Sequence, residues 1–165
     1  RIKDLVNNQN NGLINHVVNS EFDLLSSFNS DSIDIVFSQA AFEHFDDFDT
    51  TAKQLSQIVK SRAILVSEVD LGTHTRWIRD KDPNNIYRYS DRFYNIFHYE
   101  GYPSRMRPYQ YKKILKENGW INIEIIPLST INTLTANDRK YFNHRFQDKI
   151  NQMEYISFML LATKK

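Results

Sequence analysis

The chain has 165 residues, enough for one domain, and its 21 basic against 20 acidic residues leave a formal charge of +1, which excludes a protein steered to nucleic acid by bulk positive charge. It contains no cysteine, so disulfides, thiolate metal sites and cysteine nucleophiles are excluded. The four glycines stand far apart, so no glycine-rich phosphate loop can be built. Apolar residues make up 41%, sufficient for a core. No apolar run approaches a membrane span and no signal-peptide pattern opens the chain, which points to the cytoplasm.

In chain order, residues 1–8 read as the tail of a helix. Residues 7–11 read as an asparagine-rich loop, with Gly12 a candidate C-cap. His16-Val17-Val18 is a short strand candidate, followed by a turn at Glu21-Phe22-Asp23. Ile33-Asp34-Ile35-Val36-Phe37-Ser38 is apolar and β-branched, the pattern of a strand buried on both faces of a parallel sheet. Asp46, Asp47 and Asp49 precede Ala52, Leu55, Ile58 and Val59 at helical spacing, with acids at the start and Lys60 at the close. Ala63-Ile64-Leu65-Val66 is again strand-like, which completes a βαβ unit.

Residues 72–104 interrupt this rhythm with Trp77, Tyr87, Tyr89, Phe93, Tyr94, Phe97, Tyr99 and Tyr102. Such an insertion is either a lid over a ligand or a satellite core beneath a long loop. Pro108 suits the first turn of a helix that ends at Asn118-Gly119. Residues 121–126 alternate like a strand with one wetter face. Residues 132–147 are polar with a short helix, and residues 155–162 form a last apolar strand. The final two strands suggest an antiparallel pair on an otherwise parallel sheet.

The segment Ser32-Ile33-Asp34-Ile35-Val36-Phe37-Ser38 with Glu43-His44 resembles the fourth strand and following turn of class I S-adenosylmethionine-dependent methyltransferases. Residues 55–69 fit that family's next helix and fifth strand. Glu68-Val69-Asp70-Leu71 with His74 resembles a stretch after strand five in a small-molecule subgroup. Arg105-Met106-Arg107-Pro108-Tyr109 through Gly119-Trp120 resembles the approach to strand six. The resemblance implies an α/β, Rossmann-like sheet in which the family's strand order is 3-2-1-4-5-7-6. Its first strand, D-x-G-x-G turn and second strand have no counterpart here, so the reading is a partial methyltransferase domain over residues 1–165, truncated, with residues 72–104 as substrate cap. An apolar edge on strand four would then invite a homodimer or a strand-swapped oligomer.

The resemblance also implies S-adenosylmethionine as cofactor. Ser38, Gln39 and Ala40, at the ligand edge of an open α/β sheet, would line its methionine end. Glu21, Phe22 and Asp23 would meet adenine, or form a plain turn. His44 would line the donor pocket, act as a base, or simply pack its turn. Glu68, Asp70 and His74 are the base candidates, since a histidine with a nearby carboxylate is tuned near neutrality; the alternative is a loop cap. Arg105 and Arg107 would hold an anionic acceptor, or pair with acids such as Asp91 or Glu100. No metal is expected, nor nucleic-acid or membrane partners. The function expected is methyl transfer to a small molecule. The alternative is an inactive methyltransferase-like module that acts by pairing with another protein. A dehydrogenase fragment fits less well, because of the terminal strand pair.

Overall fold

The structure is a computed structural model that describes residues 16–19 and 22–165. The expected helix tail over residues 1–8, the asparagine-rich loop, Gly12 and Glu21 lie outside the described residues. Elements follow in the order α1 (Leu24–Ser27), β1 (Ile33–Gln39), α2 (Phe48–Ile58), β2 (Val59–Asp70), α3 (Arg76–Arg79), α4 (Asp91–Ile96), α5 (Pro108–Glu117), β3 (Trp120–Thr130), α6 (Ala136–Arg139) and β4 (Tyr155–Lys164). Short 3-10 turns at Phe42–His44, Asn85–Tyr87, His144–Phe146 and Lys149–Asn151 join them.

The sheet has the order β1-β2-β4-β3. β1 and β2 are parallel, with Gln39 beside Glu68 at the carboxyl end. β4 runs antiparallel to both β2 and β3. This agrees with the expected antiparallel pair on a parallel sheet and with the 4-5-7-6 half of the expected strand order. Placing β4 between β2 and β3 is a reversal that no simple meander produces.

Local chemistry explains the helices. Asp47 caps α2, its carboxylate accepting from the Thr50 amide at 3.0 Å and the Thr50 hydroxyl at 2.6 Å. Phe48, Ala52, Leu55 and Ile58 recur on one face of α2 and are all buried. Pro108 opens α5, where a missing N–H costs nothing. Gly119 ends it in the left-handed conformation at φ +79°. α2 and α5 cover one face of the sheet and form the core with Leu65, Val69, Trp120, Phe158 and Leu160. Each such side chain contributes about 1.5–3 kcal/mol by leaving water.

Three expectations are corrected. His16, Val17 and Val18 form no strand; Val17 and Val18 are exposed. A three-residue apolar stretch cannot hold strand geometry without a partner, and β1 is the sheet edge among the described residues. The strand at 33–38 is not buried on both faces: Ile35 is 62% and Phe37 70% exposed, continuing across the sheet to Ile64 and Ile126. Lys60 and Val59 do not close α2 but begin β2, where Lys60 reaches Asp34 at 2.8 Å. Arg62, at φ +67°, lies beside the register shift between Ile33 and Ile35 that this early start requires.

Among the described residues no helix is long and apolar enough to cross a membrane.

Candidate functional site at the carboxyl edge of the parallel strands

β1 and β2 end side by side, and the turns that follow them carry most of the singled-out polar residues. After β1 the chain bends at Ala40, which adopts φ +47° and donates its amide to the Glu68 carbonyl at 3.0 Å. It then makes the 3-10 turn Phe42–His44. After β2, residues 71–74 are pinned from several sides. The Leu71 amide donates to Ile156 at 2.7 Å, the Tyr87 hydroxyl donates to the Leu71 carbonyl at 2.7 Å, and the Thr73 amide donates to Pro83 at 2.7 Å.

The two turns bring His44 and His74 together. Their Nε2 atoms lie 3.2 Å apart, with the rings edge to face at 85°. His44 Nδ1 is 2.6 Å from the Gly101 carbonyl, and His74 Nδ1 is 2.9 Å from the Gly72 carbonyl. A carbonyl oxygen can only accept, so both Nδ1 atoms carry hydrogen. Glu43 completes the group, 3.9 Å from His44 Nε2 and 2% exposed. Burial pushes its carboxyl up to about 6, and the Asp70 charge adds to this; its own backbone amide and His44 pull the other way.

The expected catalytic trio is only partly assembled. His74 is in the cluster, but its carboxylate neighbour is Glu43, to which the sequence reading gives no role of its own. The Glu-His pair directly after a strand end was the available signal. Glu68 instead accepts from Gln39 Nε2 at 3.3 Å. Asp70 accepts from the Gly72 amide at 2.9 Å and from Arg79 at 2.6 Å. It shapes the turn that carries His74.

On the other side of the Phe42–His44 turn, an apolar cleft of about 430 Å³ runs along β1. Its walls include Phe22, Val36, Ser38, Phe42 and Phe45. Ser38 Oγ is buried there without a hydrogen-bond partner. Phe22 stacks on Phe45 with ring centroids 4.7 Å apart, and Asp23 caps α1 by accepting from the Leu25 amide.

Arg105 and Arg107 are both buried. Arg105 donates to the Ile86 carbonyl at 3.1 Å, to the Tyr89 carbonyl at 3.0 Å and to Asp91, and lies 3.9 Å over the Tyr94 ring. Arg107 donates to the carbonyls of Asn151, Gln152 and Tyr155 at 2.8, 2.6 and 3.1 Å. Arg105 thus pairs with Asp91, the alternative expected for it, and Arg107 is engaged by backbone with only Nη1 unpartnered; neither is a free arginine held out for an anionic acceptor. Part of the aromatic insertion takes the form of a satellite core. Ile86, Tyr87 and Tyr94 build a satellite core with Phe142, Phe146 and Met153. Trp77, Phe93, Phe97 and Tyr99 remain exposed. A smaller cleft of about 200 Å³, lined by Thr73, Thr75, Ile86, Tyr89 and Phe93 among others, lies beside the His74 turn.

Comparison with known proteins bears on this arrangement. The family model described as "Methyltransferase domain" matches residues 2–67. No curated protein sequence matches the chain. Among solved structures, a proposed S-adenosylmethionine-dependent methyltransferase from Listeria monocytogenes is similar with TM-score 0.57 and 15% identity, over 99% of this chain and 75% of that one. An S-adenosylmethionine-dependent methyltransferase from Archaeoglobus fulgidus is similar with TM-score 0.51 and 17% identity, over 98% and 72%. The CurJ carbon methyltransferase is similar with TM-score 0.51 and 17% identity, over 89% of this chain but 34% of its own. This chain therefore spans about a third of that relative's length. The matched strand–helix–strand unit and the shared fold agree with the sheet reversal seen here: residues 2–67 match a methyltransferase domain, and the chain has the fold of S-adenosylmethionine-dependent methyltransferases.

Proposed function

We propose that the protein is an S-adenosylmethionine-dependent methyltransferase acting on a small molecule. The observation that carries this reading is the convergence, at one sheet edge, of an apolar cleft holding an unsatisfied Ser38 hydroxyl and a histidine pair on the other side of a single turn. Ser38, Gln39, Ala40, Phe22 and Asp23 form the donor side, with Glu21 beside them in sequence. A buried hydroxyl without a partner in a cleft of this size fits a nucleoside-sized ligand with a polar end. The bound cofactor supplies a methyl group already activated on sulfur.

This chain's own work is alignment and proton removal. The acceptor enters beneath the aromatic cap, in the cleft beside Thr73 and Tyr89. With the cofactor held on the donor side, the acceptor would take the activated methyl group as the sulfur leaves, and Nε2 of His74 or His44 would take the acceptor's proton. Asp70 and Glu68 are positioning residues, acting through the Gly72 turn and through Gln39. Arg105 and Arg107 hold the cap in place. Residues 72–104 act as the substrate cap within the domain.

The test is calorimetric titration with S-adenosylmethionine and S-adenosylhomocysteine, alongside tritiated-methyl transfer to small hydroxyl and amine acceptors. We expect saturable binding of both. His74→Ala should lower kcat/KM by about 10²–10⁴-fold, the usual worth of a general base, with donor affinity little changed. A folded protein that binds neither compound overturns the reading.

A second reading is favoured by the open apolar edge at Ile35 and Phe37. There the chain is an inactive module that acts by pairing, as a homodimer or strand-swapped oligomer. It predicts an oligomer in sedimentation and no donor binding.

A further inference from the structure

The histidine pair presents a problem that methyl transfer alone does not solve. With both Nδ1 hydrogens committed to backbone carbonyls, each neutral ring leaves Nε2 as a bare lone pair. Those two lone pairs face one another at 3.2 Å. Two acceptors at that distance repel unless a cation lies between them. Beside them, neither oxygen of the buried Glu43 carboxylate has a hydrogen-bond partner in good geometry. A buried anion in that state is costly. The three donor atoms lie within 4.8 Å of one another.

We propose that Glu43, His44 and His74 form a divalent transition-metal site, with Zn²⁺ the best-matched ion. Zinc–nitrogen bonds of 2.0–2.1 Å at a tetrahedral angle separate two ligand nitrogens by about 3.3–3.4 Å, close to the spacing already present. The Glu43 carboxylate, 3.9 Å from His44 Nε2, reaches the ion by a side-chain adjustment of about 1.5 Å at a zinc–oxygen distance of about 2.0–2.2 Å. Two imidazoles and a carboxylate are a borderline-soft donor set that suits zinc better than magnesium or calcium. The second sphere is already built: each ring donates its other N–H to a carbonyl, which fixes tautomer and orientation. Those carbonyls belong to held backbone. The Ser104 amide donates to the Glu43 carbonyl at 2.7 Å, which ties the 101–104 segment to the Phe42–His44 turn. Three protein ligands leave a fourth position open, and the exposed side of His74 gives access to it. The site shares its Nε2 atoms with the base of the methyl-transfer reading, so with the ion bound neither ring takes the proton: the fourth position would hold the acceptor oxygen, the ion would lower its pKa, and the proton would leave to solvent.

The test uses protein stripped with EDTA, dialysed, and titrated with Zn²⁺ by calorimetry and with Co²⁺ by visible absorption. We expect one ion per chain and a tetrahedral Co²⁺ spectrum. His44→Ala and His74→Ala should each weaken binding by more than the roughly 10–100-fold that loss of an outer-sphere partner costs. Glu43→Gln should weaken it less, and His144→Ala, on the exposed surface, not at all. Wild-type protein that takes up no stoichiometric Zn²⁺ or Co²⁺ overturns the proposal and leaves a shared proton between the rings. Binding that survives loss of either histidine overturns it equally. The Co²⁺ spectrum of the wild type decides the matter even where a variant folds poorly. Donor binding is measured separately, so failure here is distinct from failure of the methyltransferase reading.

Discussion

Glu43 is held in its protonated form to higher pH than an ordinary carboxyl, up to about 6, because it is buried. The folded state therefore binds its proton more tightly than the unfolded chain. Stability is unaffected below the ordinary carboxylate range and falls as pH rises from there through about 6. The displacement is worth about 2 kcal/mol. In metal-free protein, Glu43→Gln should gain about 2 kcal/mol on the wild type between pH 4 and pH 8, measured by urea denaturation at both values. Asp47 behaves oppositely. The Thr50 hydroxyl and amide hold its carboxyl below the usual range, so its contribution is full above that range and lost as pH falls through it. Asp47→Ala should cost about 1 kcal/mol at pH 7, as helix caps do, and almost nothing near pH 2.

At the scale of elements, Arg107 joins three segments. It is the N-cap residue of α5, its guanidinium gathers carbonyls from residues 151, 152 and 155, and it lies 4.7 Å over the Tyr87 ring. A planar fork serves several carbonyls at fixed angles; a lysine ammonium is one point charge on a flexible stem. Arg107→Lys should lower stability by about 3 kcal/mol, visible as a reduced urea midpoint. The elements themselves were largely legible in the sequence. The β1–α2–β2 unit, the Pro108 start and Gly119 stop of α5, and the last two strands all follow from periodicity and caps. What failed is equally specific. His16-Val17-Val18 has strand composition but no strand beside it among the described residues, and Lys60 looks like a helix C-terminus yet lies in β2, because pairing of Val59 with Ile33 outweighs one more turn of helix.

For the whole molecule, the uncovered sheet face is the dominant surface feature. Ile35, Phe37, Ile64 and Ile126 form an apolar band beside β1, the sheet edge among the described residues. Bands of this kind associate. Sedimentation velocity at high micromolar concentration should show self-association, and the pair Ile35→Lys with Phe37→Glu should return the protein to monomer. Because both side chains are solvent-exposed in the chain alone, the double change should alter stability by no more than about 1 kcal/mol. A wild type that stays monomeric would remove the pairing surface from consideration.

The sequence by itself determined which segments are strands and helices, since apolar spacing, proline, glycine and capping acids act over a few residues. It also determined which residue types stand at strand ends. Which of them meet was decided by tertiary structure alone. His44 finds a partner 30 residues away in His74 and another 57 residues away in Gly101. Only the register that sets Gln39 beside Glu68 brings those turns to one edge. Desolvation followed from the same packing: it turned Glu43 from an ordinary surface acid into a buried carboxyl, and it drew Arg105 and Arg107 into the fold, because burial is a property of neighbours and not of local pattern.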